Sequence, residues 1–102
     1  MKISVSQSSD ALVFTLIGEV DERGAQQLKE TFNQNYKDGV KTVVFDFQQV
    51  NHIGSAGIGK LLLFYKKVGI NKGSIVIEKP NATIADLFNS LKLDSVFTIK
   101  TI

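Results

Sequence analysis

The sequence predicts an α/β fold: one domain spanning residues 1–102, with a mixed central β-sheet and α-helices supplied by βα crossovers. Three observations lead there. Short β-rich runs alternate with stretches of helical apolar periodicity, the single proline and eight glycines fall between elements or at their ends apart from a cluster after residue 53, and 102 residues suffice for one core but not two.

The elements follow in order. Ile3 and Val5 alternate with polar residues as in a half-buried strand, Ser8-Ser9-Asp10 supplies a turn, and Leu12 to Ile17 is a second β-rich run. Gly18-Glu19-Val20-Asp21 leads into a helix whose Ala25, Leu28, Phe32 and Tyr36 share a face, with Asp21 the N-cap and Gly39 the stop. Val40 to Phe47 is largely apolar, which predicts a central strand covered on both faces and makes Asp46, the charge set between Phe45 and Phe47, conspicuous. A helix from Ser55 to Gly69 is expected to bury Ile58, Leu61, Leu62, Tyr65 and Val68. Ser74 to Ile77 forms the next strand, Asn81 caps a helix carrying Ile84, Leu87, Phe88 and Leu91 inward, and Val96 to Ile99 adds a last edge strand.

Composition narrows the function. With 43% hydrophobic and 22% charged residues the chain reads as a globular protein, and a net charge of +2 with interspersed acids lacks the concentrated basic face that nucleic acid requires. The absence of cysteine removes disulfides and thiolate metal sites, and His52 alone cannot build a zinc centre, so no cofactor is expected. The apolar run Leu61 to Tyr65 is far shorter than the ~20 residues of a membrane span. Met1-Lys2-Ile3-Ser4 opens into an alternating strand instead of a signal-peptide core, which places the expected location in the cytoplasm.

The chemistry concentrates where a strand turns into a helix, at Gly54-Ser55-Ala56-Gly57-Ile58-Gly59-Lys60. This fits the first part of a Walker A loop, but Leu61 stands where the Mg²⁺-ligating Ser or Thr belongs, so a nucleotide hydrolase is not expected. No hydrolytic nucleophile is expected either, because glycine directly precedes Ser55 and the one histidine, His52, is three residues away in the same loop. Ser55 then has two readings: an N-cap for its own helix, or a phosphate site at the positive end of the helix dipole. Asp21 and Asp46 are either caps and loop anchors or carboxylates that orient a phosphate-transfer partner, with Asp46 and Ser55 expected at the carboxyl ends of the strands. Gly57 and Gly59 each cost a helix ~1 kcal/mol relative to alanine, which points to close approach by another backbone or a partner. Leu63 falls on the outer face of the expected helix and Phe64 at its flank, beside Gly54, Ala56, Gly57 and Gly59, which suits either a protein-binding patch or burial against a loop.

Together these residues resemble the anti-sigma-factor antagonist family, built on the STAS domain. Gly18-Glu19-Val20-Asp21 with Ala25 is similar to the family's G-x-(L/V/I)-D-x-x-x-A segment, and Ile53 to Gly59 lines up with its (I/M)-D-S-(S/T/A)-G-(L/I)-G signature. Val44 to Val50, similar to the family's strand followed by a polar turn and an apolar residue, and the closing Leu91 to Phe97 also resemble it, so the likeness covers nearly the whole chain. The resemblance implies a non-catalytic binding module that captures an anti-sigma factor, itself a serine kinase of the GHKL-type ATPase fold, and so releases a sigma factor. That kinase would phosphorylate Ser55 to end the complex, and a serine phosphatase would restore it. Gly54 departs from the pattern, standing where the family carries aspartate. A phosphorylation-independent STAS scaffold, or a subunit associated with a lipid transporter, is the alternative that this departure keeps open.

Overall fold

The computed structural model describes residues 1–102. Polar and apolar residues alternate along β1 (Lys2–Ser8), which pairs antiparallel with β2 (Ala11–Val20) through a turn where Ser9 takes φ 56°. Asp21 caps α1 (Glu22–Asn35) by accepting a 2.8 Å bond from the Gly24 N–H, as its position before the periodic run predicts. The helix ends four residues before Gly39, because Tyr36 swings to extended backbone while its ring stacks on Phe32 with centroids 4.9 Å apart. The chain continues through β3 (Thr42–Ile53), α2 (Ser55–Ile70), β4 (Ser74–Glu78), α3 (Ala82–Ser90), a 3₁₀ turn at Leu93–Ser95 and β5 (Thr98–Lys100). Asn81 caps α3 with a 2.8 Å bond from the Ile84 N–H.

The sheet order is β1-β2-β3-β4-β5, with every pairing after the first hairpin parallel. Strands that succeed one another across a sheet in chain order, joined by right-handed crossovers, place all their helices on the same face. The aromatic contacts agree: Phe32 of α1 stacks on Phe14 of β2, Phe64 of α2 on Phe45 of β3, and Phe88 of α3 meets Phe47 of β3 edge-on. Leu12, Phe14 and Leu16, Val43, Phe45 and Phe47, and Ile75 and Ile77 form the buried rows under the helices.

The opposite face of the sheet carries no helix, which corrects the expectation for β3. Val43, Phe45 and Phe47 are buried, whereas Thr42, Val44 and Asp46 point to the open face and are only half-buried. Asp46 is therefore not a charge sealed in a core, and nothing about its surroundings demands a special role. β3 also runs to Ile53, six residues beyond Phe47. Two register shifts against β2 carry it there, one between Thr15 and Ile17 and one between Gly18 and Glu19. Each inserts an extra β3 residue, so Val50 and Ile53 continue the buried row while Gln48, Gln49, Asn51 and His52 face solvent. The second shift falls at Gly18, whose φ of 112° admits glycine readily and other residues only under strain.

Candidate functional site

The end of β3 and the start of α2 are separated by one residue. Gly54, in extended backbone, is the N-cap; its N–H donates to the Val20 carbonyl at 3.0 Å and its carbonyl accepts from the Ile58 N–H at 3.1 Å. Ser55 is thus the first helical residue, not the cap, and α2 has no side-chain cap bond at all. This removes the cap reading of the serine: Ser55 is exposed and performs no capping duty. The N–H groups of the first turn lie beside it with no side-chain acceptor, at the positive end of the helix dipole.

An open depression of about 480 Å³ surrounds the serine, lined by Asp21, Glu22, His52, Gly54, Ser55 and Ala56. Asp21 reaches it because the cap of α1 and the cap of α2 follow adjacent parallel strands, β2 and β3. Glu22 was not singled out in the sequence; its signal there is only the preference for acids in a helix's first turn. His52 lies on β3, paired with Glu19 across the strands, and not in a loop. Its side chain is exposed at the rim of the same depression.

Asp46 is not part of this site. Six residues of β3 lie between it and Ile53, roughly 20 Å of strand. It lies level with Glu78, the last residue of β4, so it does reach one strand's carboxyl end, though not the one that carries Ser55. Its carboxylate accepts from the Gln48 N–H at 3.0 Å and braces the first bulge, which is the loop-anchor reading.

Along α2 the buried face is Gly57, Leu61, Phe64 and Val68, rotated from the face expected. Phe64 is fully buried, with its ring 4.1 Å from Phe32 and 5.8 Å from Phe45, so it is a core residue and not a contact for a partner. Leu62 and Tyr65, expected inside, are 38% and 41% exposed. Gly57 fixes the phase. A Cβ there would sit 2.7 Å from Val20 Cγ1 and 2.9 Å from Ile53 Cγ1, so this glycine serves the packing of the helix on β2 and β3. Gly59 is different: it is exposed, and a Cβ there would meet nothing within 4 Å.

Gly59 also opens a shallow groove of about 530 Å³ lined with Leu62, Leu63, Tyr65, Lys66 and Val96. Ser55, Gly59, Leu62 and Lys66 follow at spacings of four, three and four, one stripe on a helix, so the depression at Ser55 and this groove are two parts of one surface. Of the residues expected to bind a partner, Asp21, Gly54, Ser55, Ala56, Gly59 and Leu63 lie on that surface, while Asp46, Gly57 and Phe64 do not.

No helix is long and apolar enough to cross a membrane. The STAS domain family matches residues 2–102. BtrV of Bordetella bronchiseptica, a candidate anti-sigma factor antagonist, is 25% identical over 99 residues, covering 97% of this chain and 85% of that protein. A candidate anti-sigma factor antagonist from Thermotoga maritima superposes with a TM-score of 0.87 at 17% identity, covering 96% of this chain and 85% of the other. The Bacillus cell fate determinant SpoIIAA in its phosphorylated form superposes with a TM-score of 0.77 at 19% identity, covering 98% and 92%.

Proposed function

The chain belongs to the STAS domain family, and we propose that it acts there as an anti-sigma-factor antagonist, binding an anti-sigma factor that is also a serine kinase and released when Ser55 is phosphorylated. The observation that carries this reading is the position of Ser55: exposed, first in α2, with the cap supplied by Gly54 and the first-turn N–H groups free of side-chain acceptors. A hydroxyl so placed can take a phosphate without breaking a structural bond. The phosphate oxygens would meet N–H donors and the positive end of the dipole. The relative named as a candidate antagonist and the fold shared with phosphorylated SpoIIAA support the same reading.

The partner surface is the stripe from Ser55 through Gly59 to Leu62, Leu63 and Lys66, with Asp21 and Glu22 at its acidic end. Phosphate adds roughly −1.5 to −2 charge at pH 7 beside those two carboxylates. A partner that docks against the unmodified rim must then desolvate a dianion in an already acidic setting, which costs several kcal/mol unless it offers matching cations. On this reading the chain is a substrate and a ligand.

The test is to recover binding proteins with the chain as bait, to incubate the chain with ATP and any GHKL-type serine kinase so recovered, and to follow phosphate by mass spectrometry and complex formation by calorimetry. Phosphate on Ser55 with loss of the complex, and a lasting complex with Ser55→Ala, is the expected result. No phosphate, with Ser55→Ala and Ser55→Asp both binding like the parent, overturns it. Gly54 favours one second reading, a phosphorylation-independent scaffold or transporter-associated subunit, because the family's carboxylate beside the acceptor is missing.

A further inference from the structure

The two edges of the sheet differ in a way that bears on assembly. β5 is three residues long and ends in Lys100, which are ordinary protections against pairing with another chain. β1 has neither its shortness nor a break. It runs seven residues, pairs only with β2, contains no proline, has no register shift against β2, and carries its one charge, Lys2, at the extreme end. Its side chains are also suited to each other. Ile3 and Val5 are half-buried toward the helices, and Ser4, Ser6 and Ser8 are exposed on the open face.

We propose that β1 is an interface between two copies of this chain, pairing antiparallel about a two-fold axis at Val5 and joining the two sheets into one of ten strands. The register follows from length and charge. An axis at Val5, the midpoint of Lys2–Ser8, pairs the entire strand with its copy. It sets Ser4 opposite Ser6 of the copy, Ile3 opposite Gln7 and Lys2 opposite Ser8, so hydroxyls meet hydroxyls and no two like charges face each other. Opposed residues differ by an even number, so the helices of both copies stay on the same side of the joined sheet. The antiparallel arrangement sends the Ser55 ends of the two copies in opposite directions, leaving both clear of the joint. A single strand pair is far smaller than the ~800 Å² per partner of a standard interface, so the dimer is weak and reversible.

The test uses the whole chain and two double variants. Ser4→Lys with Ser6→Lys puts lysine against lysine twice in this register, whereas Ser4→Glu with Ser6→Lys puts glutamate against lysine twice. Both sites are exposed, so thermal unfolding should show all three proteins equally folded. Sedimentation equilibrium up to about 1 mM should show a concentration-dependent dimer for the parent, weakened at least about tenfold in the double-lysine variant and retained in the glutamate-lysine variant. A parent that stays monomeric throughout overturns the proposal. So does a double-lysine variant that dimerises like the parent, or a folded glutamate-lysine variant that does not dimerise.

Discussion

Two glycines two residues apart on α2 should respond to alanine with opposite signs. Alanine gains about 1 kcal/mol over glycine in a helix interior, through the unfolded chain's lower entropy and the added methyl group. At Gly59 nothing opposes that gain, because the new Cβ meets no atom within 4 Å. Gly59→Ala should therefore raise the melting temperature by roughly 4–8 °C for a domain of this size. At Gly57 the new Cβ would lie 2.7 Å from Val20 Cγ1 and 2.9 Å from Ile53 Cγ1 and 3.1 Å from its Cδ1. Val20 and Ile53 are β-branched, stiff at χ1 and almost fully buried, so neither can turn away cheaply. Overpacking of this kind costs about 1–3 kcal/mol and outweighs the helix gain. Urea unfolding of both variants measures the difference, and a Gly57→Ala protein as stable as Gly59→Ala would refute the packing argument. If an exposed glycine is kept for a partner's close approach, Gly59→Ala should also bind the anti-sigma partner more weakly while being the more stable protein. Unchanged affinity would remove Gly59 from the interface.

Phe64→Ala should lose about 3–5 kcal/mol of stability, since its ring lies in the aromatic stack with Phe32 and Phe45, whereas Leu63→Asp should change stability by less than about 0.5 kcal/mol. Calorimetry with the partner should show Leu63→Asp weakening binding by about 1–3 kcal/mol; equal effects of the two changes on unfolding would mean the phase of α2 is misjudged. Gly54→Asp has room, its Cβ lying 4.0 Å from the nearest atom, the Val20 carbonyl oxygen. It should stabilise α2 by only a few tenths of a kcal/mol, the usual margin of aspartate over glycine at a cap, and should speed Ser55 labelling by the partner kinase; a slower reaction would show that Gly54 suits this chain's own partner.

What the sequence made legible was mostly local. Asp21 and Asn81 could be identified as caps because a cap and its N–H donor are three residues apart, and nothing distant alters that bond. The order of strands and helices followed from periodicity in the same way. The face of α2 did not, because Leu61 to Tyr65 is apolar at five successive positions and offers several equally good stripes. Only the clash at Gly57, set by Val20 and Ile53 from two other elements, selects the one that is buried. The length of β3 was hidden for a related reason. Its two bulges break the alternation that identifies a strand, so Gln48 to His52 reads as a loop. Asp46 looked anomalous because an apolar run suggests two covered faces, and a run cannot reveal that every crossover returns on the same side.

That same one-sided topology explains how a modification could act on binding and leave the fold alone. The core lies between the helices and one face of the sheet, while Ser55 stands at the rim, exposed, after a single-residue joint. Had Ser55 been the cap, phosphorylation would have exchanged a structural hydrogen bond for a charge, and part of its effect would have fallen on the helix. With Gly54 capping through its backbone, the phosphate would replace nothing and would gain the donors of the first turn. The unfavourable part of its charge would then fall on Asp21, Glu22 and whatever faces them, which is the proposed interface. Phosphorylation of Ser55 should therefore leave the melting temperature unchanged or raise it while reducing partner affinity. A phosphorylated chain that melts earlier would mean that the phosphate strains the rim, and that release comes from local unfolding and not from charge at the contact.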